Sequence, residues 1–375
     1  MVCKDNGLVQ LVAEGVAPWL DGLSQEVIAS GRLTELVSSA TLLGVTSNVD
    51  VFGAAVTGDR RYRDQLTLLA RQDVSVELAT RSLSAHDARL ACAELWPVFV
   101  TSREVHGHVS VDLDPALTAA VESTVRGAVE LTRLVNRANL LVKIRATDQG
   151  VLAIRECLGI GIGVHASDIF SVRRYGEVLD AYFDGLERAV AAGLRASGMA
   201  MITSMPVGRI DAEFDAQLTT VGAAAACSVR GQGALAVARL AYQAYEQRLG
   251  TERWRALSVA GAHPPRLMWT DTTVADPKQS PTRYVDEFVA WGTASAMSLS
   301  TLDAVVLGSD LRGDTLTGQH EHAAAVLDEF GRLGVSHSAV ADRLGETSAH
   351  RQAQSWRRLR EQVAAQLKAV RWACP

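Results

Sequence analysis

The stretch NLLVKIRAT, residues 139–147, sets one lysine, Lys143, inside a run of aliphatic residues that otherwise reads as a buried strand. A buried ammonium is costly unless it is paired or loses its proton. Desolvation favours the loss, and a neutral amine is a nucleophile toward a carbonyl carbon. The competing reading is structural: a strand-end lysine whose stem lies on apolar surface while its charge reaches water. Further polar groups stand at the ends of other apolar runs: Asp21, Asn48, Asp112, Ser167, Ser204 and Asp271. A carboxylate within hydrogen-bond reach of a reacting group is suited to proton exchange. Two of these residues have plainer alternatives, Asp21 as a helix N-cap ahead of GLSQEV and Asn48 as a turn asparagine.

These groups need elements that bring them together. Strand candidates are APWLD 17–21, TLLGVTSN 41–48, HVSVDLD 108–114, NLLVKI 139–144, GIGIGVHAS 159–167, GMAMITSM 198–205, PRLMWTD 265–271 and YVDEFVA 284–290. Between them lie stretches with apolar residues at spacings of three and four, such as 171–196 and 234–250, which predict helices. Eight strands alternating with helices predict an α/β fold, a single closed (β/α)8 barrel with extra helices. The competitor is a doubly wound open sheet, which usually carries a Gly-rich phosphate turn after its first strand; WLDGLSQ is not one. In a barrel, residues at the C-terminal strand ends share one mouth, so the seven polar groups, from seven strands, read as one pocket. Nothing in the composition divides the chain. The expected organisation is one barrel domain over 1–375, with 1–16 a short N-terminal helical extension and 315–375 C-terminal helices packing on the barrel.

The remaining composition excludes several classes. A net charge of −5 without blocks of like charge argues against a dedicated nucleic-acid binder. The most basic run, WRRLREQ at 356–362, reads as a solvated helix face. Five scattered cysteines (Cys3, Cys92, Cys157, Cys227, Cys374) offer neither a zinc site nor a disulfide framework, and the cytoplasm is the expected compartment. Cys157 and Cys227 sit in apolar surroundings and read as packed core thiols. The start of the chain lacks the pattern of a signal peptide, and no run is apolar enough for a membrane span. The oligomeric state is not fixed, and a homodimer is compatible with the sequence.

Several segments together carry a resemblance. WLDGLSQEVIASGRLTELV, GVTSN, NLLVKIRAT, IFSVRRYGEVLDAYFDGLERA, ARLAYQAYE and EFVAWGTASAMSLSTLDAV resemble, in order, the transaldolase family, specifically its longer bacterial type. The resemblance implies a (β/α)8 barrel of the class I aldolase kind, with no metal and no cofactor, acting on a ketose, aldose or other carbonyl substrate. It places the Schiff-base lysine at Lys143, in the family's K-I-P-A-T strand. It matches Asp21 to the aspartate that takes the C4 hydroxyl proton as the C3–C4 bond breaks, and returns a proton on condensation. Asp112 stands where the family has a glutamate that works through a water on Schiff-base proton transfers. Asn48 matches a residue that holds substrate hydroxyls. Ser204 and Arg209, in SMPVGR, match the sixth-strand serine and a phosphate-clamping arginine, a task that the planar guanidinium suits.

The departures from the family pattern are as informative as the matches. T-S/T-N-P-T is here TSNVD, with Val49 for a turn proline and an added Asp50. The K-I-P-A-T proline is Arg145, a new cation two residues from the lysine and a candidate substrate contact. The fifth-strand N-x-T pair reads HAS: Ser167 keeps a catalytic-site hydroxyl, while His165 replaces an amide. His165 reads either as a substrate donor that titrates near neutrality or as a structural ring in the amide's place. W-A-S-T-G-x-K becomes WTDTTVA, with Asp271 for Ser, Thr273 for Gly and Ala275 for the cation. Two unit charges ~4 Å apart at an effective dielectric near 20 repel by about 4 kcal/mol, roughly three orders of magnitude in phosphate affinity. G-T-V-N-T-M-P is GTASAMS, preceded by Trp291, which reads as a remodelled eighth-strand rim.

Chemical residues kept beside recognition residues changed predict a transaldolase-family enzyme that forms an imine on Lys143. It would cleave, transfer or join a carbon fragment, in specialised metabolism, on a substrate that lacks the usual phosphate or carries a cation. Two alternatives stand beside it: an ordinary pentose-phosphate transaldolase, and a non-catalytic barrel used for binding.

Overall fold

A computed structural model describes residues 6–39, 41–222 and 228–373; Cys3, Cys227 and Cys374 lie outside them. Eight parallel strands close into a barrel in sequence order: β1 Ala17–Asp21, β2 Gly44–Thr46, β3 His108–Asp112, β4 Leu140–Arg145, β5 Val164–Ser167, β6 Met201–Pro206, β7 Arg266–Thr270 and β8 Thr293–Met297. The chain is thus the (β/α)8 barrel that its alternating pattern predicts. One element differs. The run YVDEFVA contains a short helix, Arg283–Asp286, and the eighth strand is Thr293–Met297. The misplacement has a physical reason: Asp286 and Glu287 interrupt the apolar alternation, whereas the small residues of TASAM fit a buried barrel wall.

Alternation along each strand decides what faces the lumen. Ala17, Trp19, Leu141, Ile202, Met268, Ala294 and Ala296 form a buried cluster inside the barrel, separate from the apolar layer between strands and helices. Trp19 needs Gly44 beside it, since a Cβ there would lie 2.2 Å from the indole. Two residues further along the same strands, on the same face, stand Asp21, Lys143, Ser204 and Thr270. The apolar plug is therefore a floor, and the next turn of the alternation is a polar mouth. Val142 and Ile144, on either side of Lys143, are fully buried in the outer layer. The aliphatic run that surrounds the lysine in sequence thus packs on the opposite face of the strand.

A C-terminal helix, His337–Ala373, is 37 residues long, about 55 Å at 1.5 Å per residue. Its contacts include the helices Val49–Gly58, Arg60–Arg71, Val76–Glu94 and Val207–Thr220. Away from the mouth, one buried carboxylate has no cation beside it among the described residues. Asp87 accepts hydrogen bonds from Tyr62 (2.5 Å) and Gln25 (2.9 Å), and burial pushes its carboxyl up to about 7. Cys157 is fully buried, and burial pushes its thiol up to about 12. No helix among the described residues is long and apolar enough to cross a membrane.

Candidate active site

The strand ends enclose a cavity of about 320 Å³. Eight of the residues singled out from the sequence line it: Asp21, Asn48, Asp112, Lys143, Ser167, Ser204, Arg209 and Asp271. The register explains the centre of the site. Asp112 on β3 pairs with Lys143 on β4, so the two side chains rise together into the mouth. Lys143 Nζ lies 3.3 Å from Asp112 Oδ2 and donates to the Ser47 carbonyl at 3.0 Å. With 15% of its side chain exposed, the lysine neither snorkels into bulk water nor sits in an apolar pocket. It is a held amine opening onto a cavity.

Ser47 is a site residue that the sequence reading passed over in favour of its neighbour Asn48. Its hydroxyl donates to Asp112 Oδ2 at 2.7 Å and accepts from the Asp112 backbone N–H at 2.9 Å. Together with its carbonyl, it fixes both members of the Lys143–Asp112 pair. The hydroxyl beside the asparagine in TSN was the available signal.

Asp21 does not cap a helix; Ser24 performs that task for Gln25–Ala29. Asn48 caps Val49–Gly58 through its Oδ1, accepting from Asp50 and Val51 N–H. That cap turns its Nδ2 toward Asp21 Oδ1 at 3.4 Å, so the turn-asparagine role and the site role coexist. Burial raises the Asp21 carboxyl above the ordinary carboxylate range, opposed by Lys143 and Asn48. A carboxyl tuned upward beside an amine is placed to exchange a proton with a bound hydroxyl.

Two expected substrate contacts lie elsewhere. His165 is fully buried and does not line the cavity. Its Nδ1 meets Ser110 Oγ at 2.7 Å, bridging β5 to β3 across β4. Burial, with a smaller contribution from Lys143, holds its ring well below the usual histidine range, so it does not titrate near neutrality. Arg145 is turned away from Lys143: it donates to Asp168 at 2.9 Å and to the Gly345 carbonyl of the C-terminal helix at 3.4 Å, and it lines a neighbouring cavity.

Asp168 explains that turn and was not foreseen. It follows β5 in the left-handed backbone region (φ 59°), a position that no periodicity announces. It accepts from Arg145, from Arg209 Nη2 at 3.3 Å and from Ser348 Oγ at 2.6 Å. The two guanidiniums and the serine outweigh burial and keep its carboxyl below the ordinary range. Asp271 (φ 56°) stands 3.8 Å from Arg209 Nε, and its carbonyl accepts from Gly208 N–H, where a Cβ would come within 2.4 Å. Arg209 thus faces two carboxylates. Asp271 is 41% exposed, so water screens its charge and its cost to a bound anion is about 1 kcal/mol rather than the 4 expected from sequence. Trp291 lies before β8, at the barrel end opposite the mouth and against Gly15; it does not remodel the rim. Among the described residues no group of three or more His, Cys, Asp or Glu is placed to hold a metal ion.

A family model described as Transaldolase/Fructose-6-phosphate aldolase matches residues 18–363. The chain belongs to this family. It is 42% identical over 364 residues to a protein named Transaldolase from Acidothermus cellulolyticus, covering 97% of this chain and 98% of that one. It is 42% identical to Transaldolase 1 of Streptomyces avermitilis (97% and 96% covered) and 39% identical to a Transaldolase of Mycobacterium bovis (98% and 99%). The chain is accordingly an enzyme of the transaldolase type, a transferase. Asp50 and Asp271 line the same cavity as Lys143 and Asp112, and Arg145 lines the neighbouring one.

Proposed function

We propose that this transaldolase-family enzyme forms a Schiff base between Lys143 and a ketose-like substrate that carries no phosphate at the family's usual place. The amine adds to the carbonyl carbon, and the resulting carbinolamine loses water to give an iminium. Asp21 then takes the proton of the C4 hydroxyl. The C3–C4 bond breaks, its electron pair enters the iminium to give an enamine, and an aldehyde leaves. Addition of the enamine to an acceptor aldehyde reverses the steps, with Asp21 returning the proton. Asp112, held by Ser47, is the acid for proton transfers at the imine nitrogen, and Ser167, Ser204 and Asn48 meet substrate hydroxyls.

The observation that carries the altered specificity is the occupation of Arg209. Its guanidinium is already matched by Asp168 at 3.3 Å and approached by Asp271 at 3.8 Å. A phosphate would have to displace or tolerate both carboxylates, whereas an uncharged or cationic terminus would not. A role in specialised metabolism is in keeping with this. The ordinary pentose-phosphate reading draws support from the names of the relatives and from Arg351, a cavity-lining cation with no carboxylate partner among the described residues. Steady-state assay separates the two. The proposal expects slow turnover of sedoheptulose 7-phosphate with glyceraldehyde 3-phosphate; turnover at a rate typical of central metabolism would sink it.

A further inference from the structure

One carboxylate at the mouth is held as a bound anion would be. Asp168 Oδ2 accepts from Arg145 Nε at 2.9 Å and from Ser348 Oγ at 2.6 Å, and its Oδ1 accepts from Arg209 Nη2 at 3.3 Å. Guanidiniums and a hydroxyl converging on one point are the donor set that recognises a carboxylate or a phosphate. Burial opposes the charge on Asp168, and the two arginines and the serine outweigh it. Arg209 has supports besides Asp168: its guanidinium carbon lies 5.7 Å from the centre of the Phe170 ring, and its Nη1 donates to Ser348 Oγ at 3.2 Å.

The C-terminal helix supplies the hydroxyl. Its buried apolar stripe, Val340, Leu344, Trp356, Leu359 and Val363, is broken by Ser348 and Ser355, which line the cavity above Lys143. A buried hydroxyl needs a partner, and Asp168 is the acceptor that Ser348 finds. The donor set is also within reach of a ligand. Asp168 lines both the cavity above Lys143 and the neighbouring one that Arg145 lines. Arg209 lines the first of them with 23% of its side chain exposed.

We infer that Asp168 is a specificity-determining residue: its carboxylate is an internal anion that takes the place of a substrate oxyanion between Arg145, Arg209 and Ser348, and so restricts the enzyme to ketoses whose far end is uncharged or cationic. This rests on the reading that the substrate carries no phosphate at the usual place, so one arm of the test uses no substrate. Asp168→Asn keeps the shape and removes the charge, and Asp168→Gly removes the side chain; both residues tolerate the left-handed backbone found there (φ 59°). In the first arm, inorganic phosphate is titrated calorimetrically at fixed ionic strength. Both variants bind it more tightly than the wild type, by about ten- to a hundredfold, the scale of one charge-assisted hydrogen bond. No gain in either folded variant overturns the assignment. In the second arm, the half-saturating concentrations of fructose 6-phosphate and fructose in borohydride trapping are compared. Their ratio moves in favour of the phosphorylated ketose by a similar factor in both variants, and Asp168→Glu, which keeps the charge, stays with the wild type. An equal change for both ketoses, or a gain in Asp168→Glu as large as in Asp168→Asn, overturns the assignment, because loosened packing rather than charge would then be the cause. A wild type that traps fructose 6-phosphate at far lower concentration than fructose defeats the reading of a substrate without phosphate, and one that traps neither defeats the Schiff-base reading. The titration of inorganic phosphate then decides the role of Asp168 alone.

Discussion

The two sides of the barrel mouth hold charge in different ways. On the β1–β4 side, Lys143 meets one carboxylate at 3.3 Å, and Asp21 lies nearby with an amide as its one hydrogen-bond partner among the described residues. That side keeps an acid and an amine available to a ligand. Toward β5–β7, Arg145 at the end of β4 turns to share Asp168 with Arg209, and Asp271 adds a second carboxylate to Arg209. That side spends its charges on each other and on the C-terminal helix. Charge that is free to act on a substrate and charge that is consumed by structure thus sit a few residues apart around one cavity. The comparison teaches that counting charged residues in a pocket says little until their partners are known.

The largest expected effect breaks the reactive side. Asp21→Asn removes the proton acceptor for bond cleavage but leaves the amine, so turnover should fall by about 10²–10⁴-fold while reductive trapping on Lys143 persists. Loss of both together would mean that Asp21 serves the structure. A carboxylate outside both halves provides a contrast of charge without any cation. The Asp87 carboxyl is raised to about 7, so the native state favours its protonated form. Its stabilising contribution is complete below the ordinary carboxylate range and is lost as pH rises toward about 7, by up to about 4 kcal/mol. Chemical denaturation of wild type and Asp87→Asn between pH 4 and 7 should show a stability difference that moves against the wild type as pH rises; a difference that stays flat would contradict this. Ser47→Ala loosens the Lys143–Asp112 pair and should slow trapping by about tenfold, the scale of one or two hydrogen bonds. Asp271→Ser acts on the other side: fructose 6-phosphate affinity should rise about fivefold, and less at high salt, as suits a partly exposed charge. A gain of a thousandfold would show that Asp271 alone blocks the phosphate.

Which parts of this arrangement were legible in sequence follows from the range of the interactions involved. Lys143, Asp21 and Asp112 could be read because strand alternation and barrel topology alone bring strand ends together. His165 stayed open between a substrate donor and a structural ring for a related reason. Facing the lumen is visible in the alternation, but depth is not, and one layer separates a ligand contact from a ring bonded to Ser110. Arg145 shares the lumen-facing parity of Lys143, yet a long side chain follows its partner, and Asp168 lies 23 residues on, in a left-handed turn without a pattern. The hold of the C-terminal helix on the mouth, through contacts such as Asp50–Arg358 and Arg145–Gly345, spans 308 and 200 residues of chain. No local signal reports such contacts. The polar gap in the stripe of that helix was visible, but its meaning required knowing what lies beneath it.

Reductive trapping followed by mass spectrometric mapping tests the central claim most directly. The protein is incubated with fructose or fructose 6-phosphate, reduced with borohydride and digested, with Lys143→Ala alongside. The account predicts an adduct on Lys143 alone, absent from the variant, and half-saturation by fructose 6-phosphate at a concentration no lower than that needed for fructose. An adduct on any other lysine, no adduct at all, or trapping by the phosphorylated ketose at far lower concentration would contradict it.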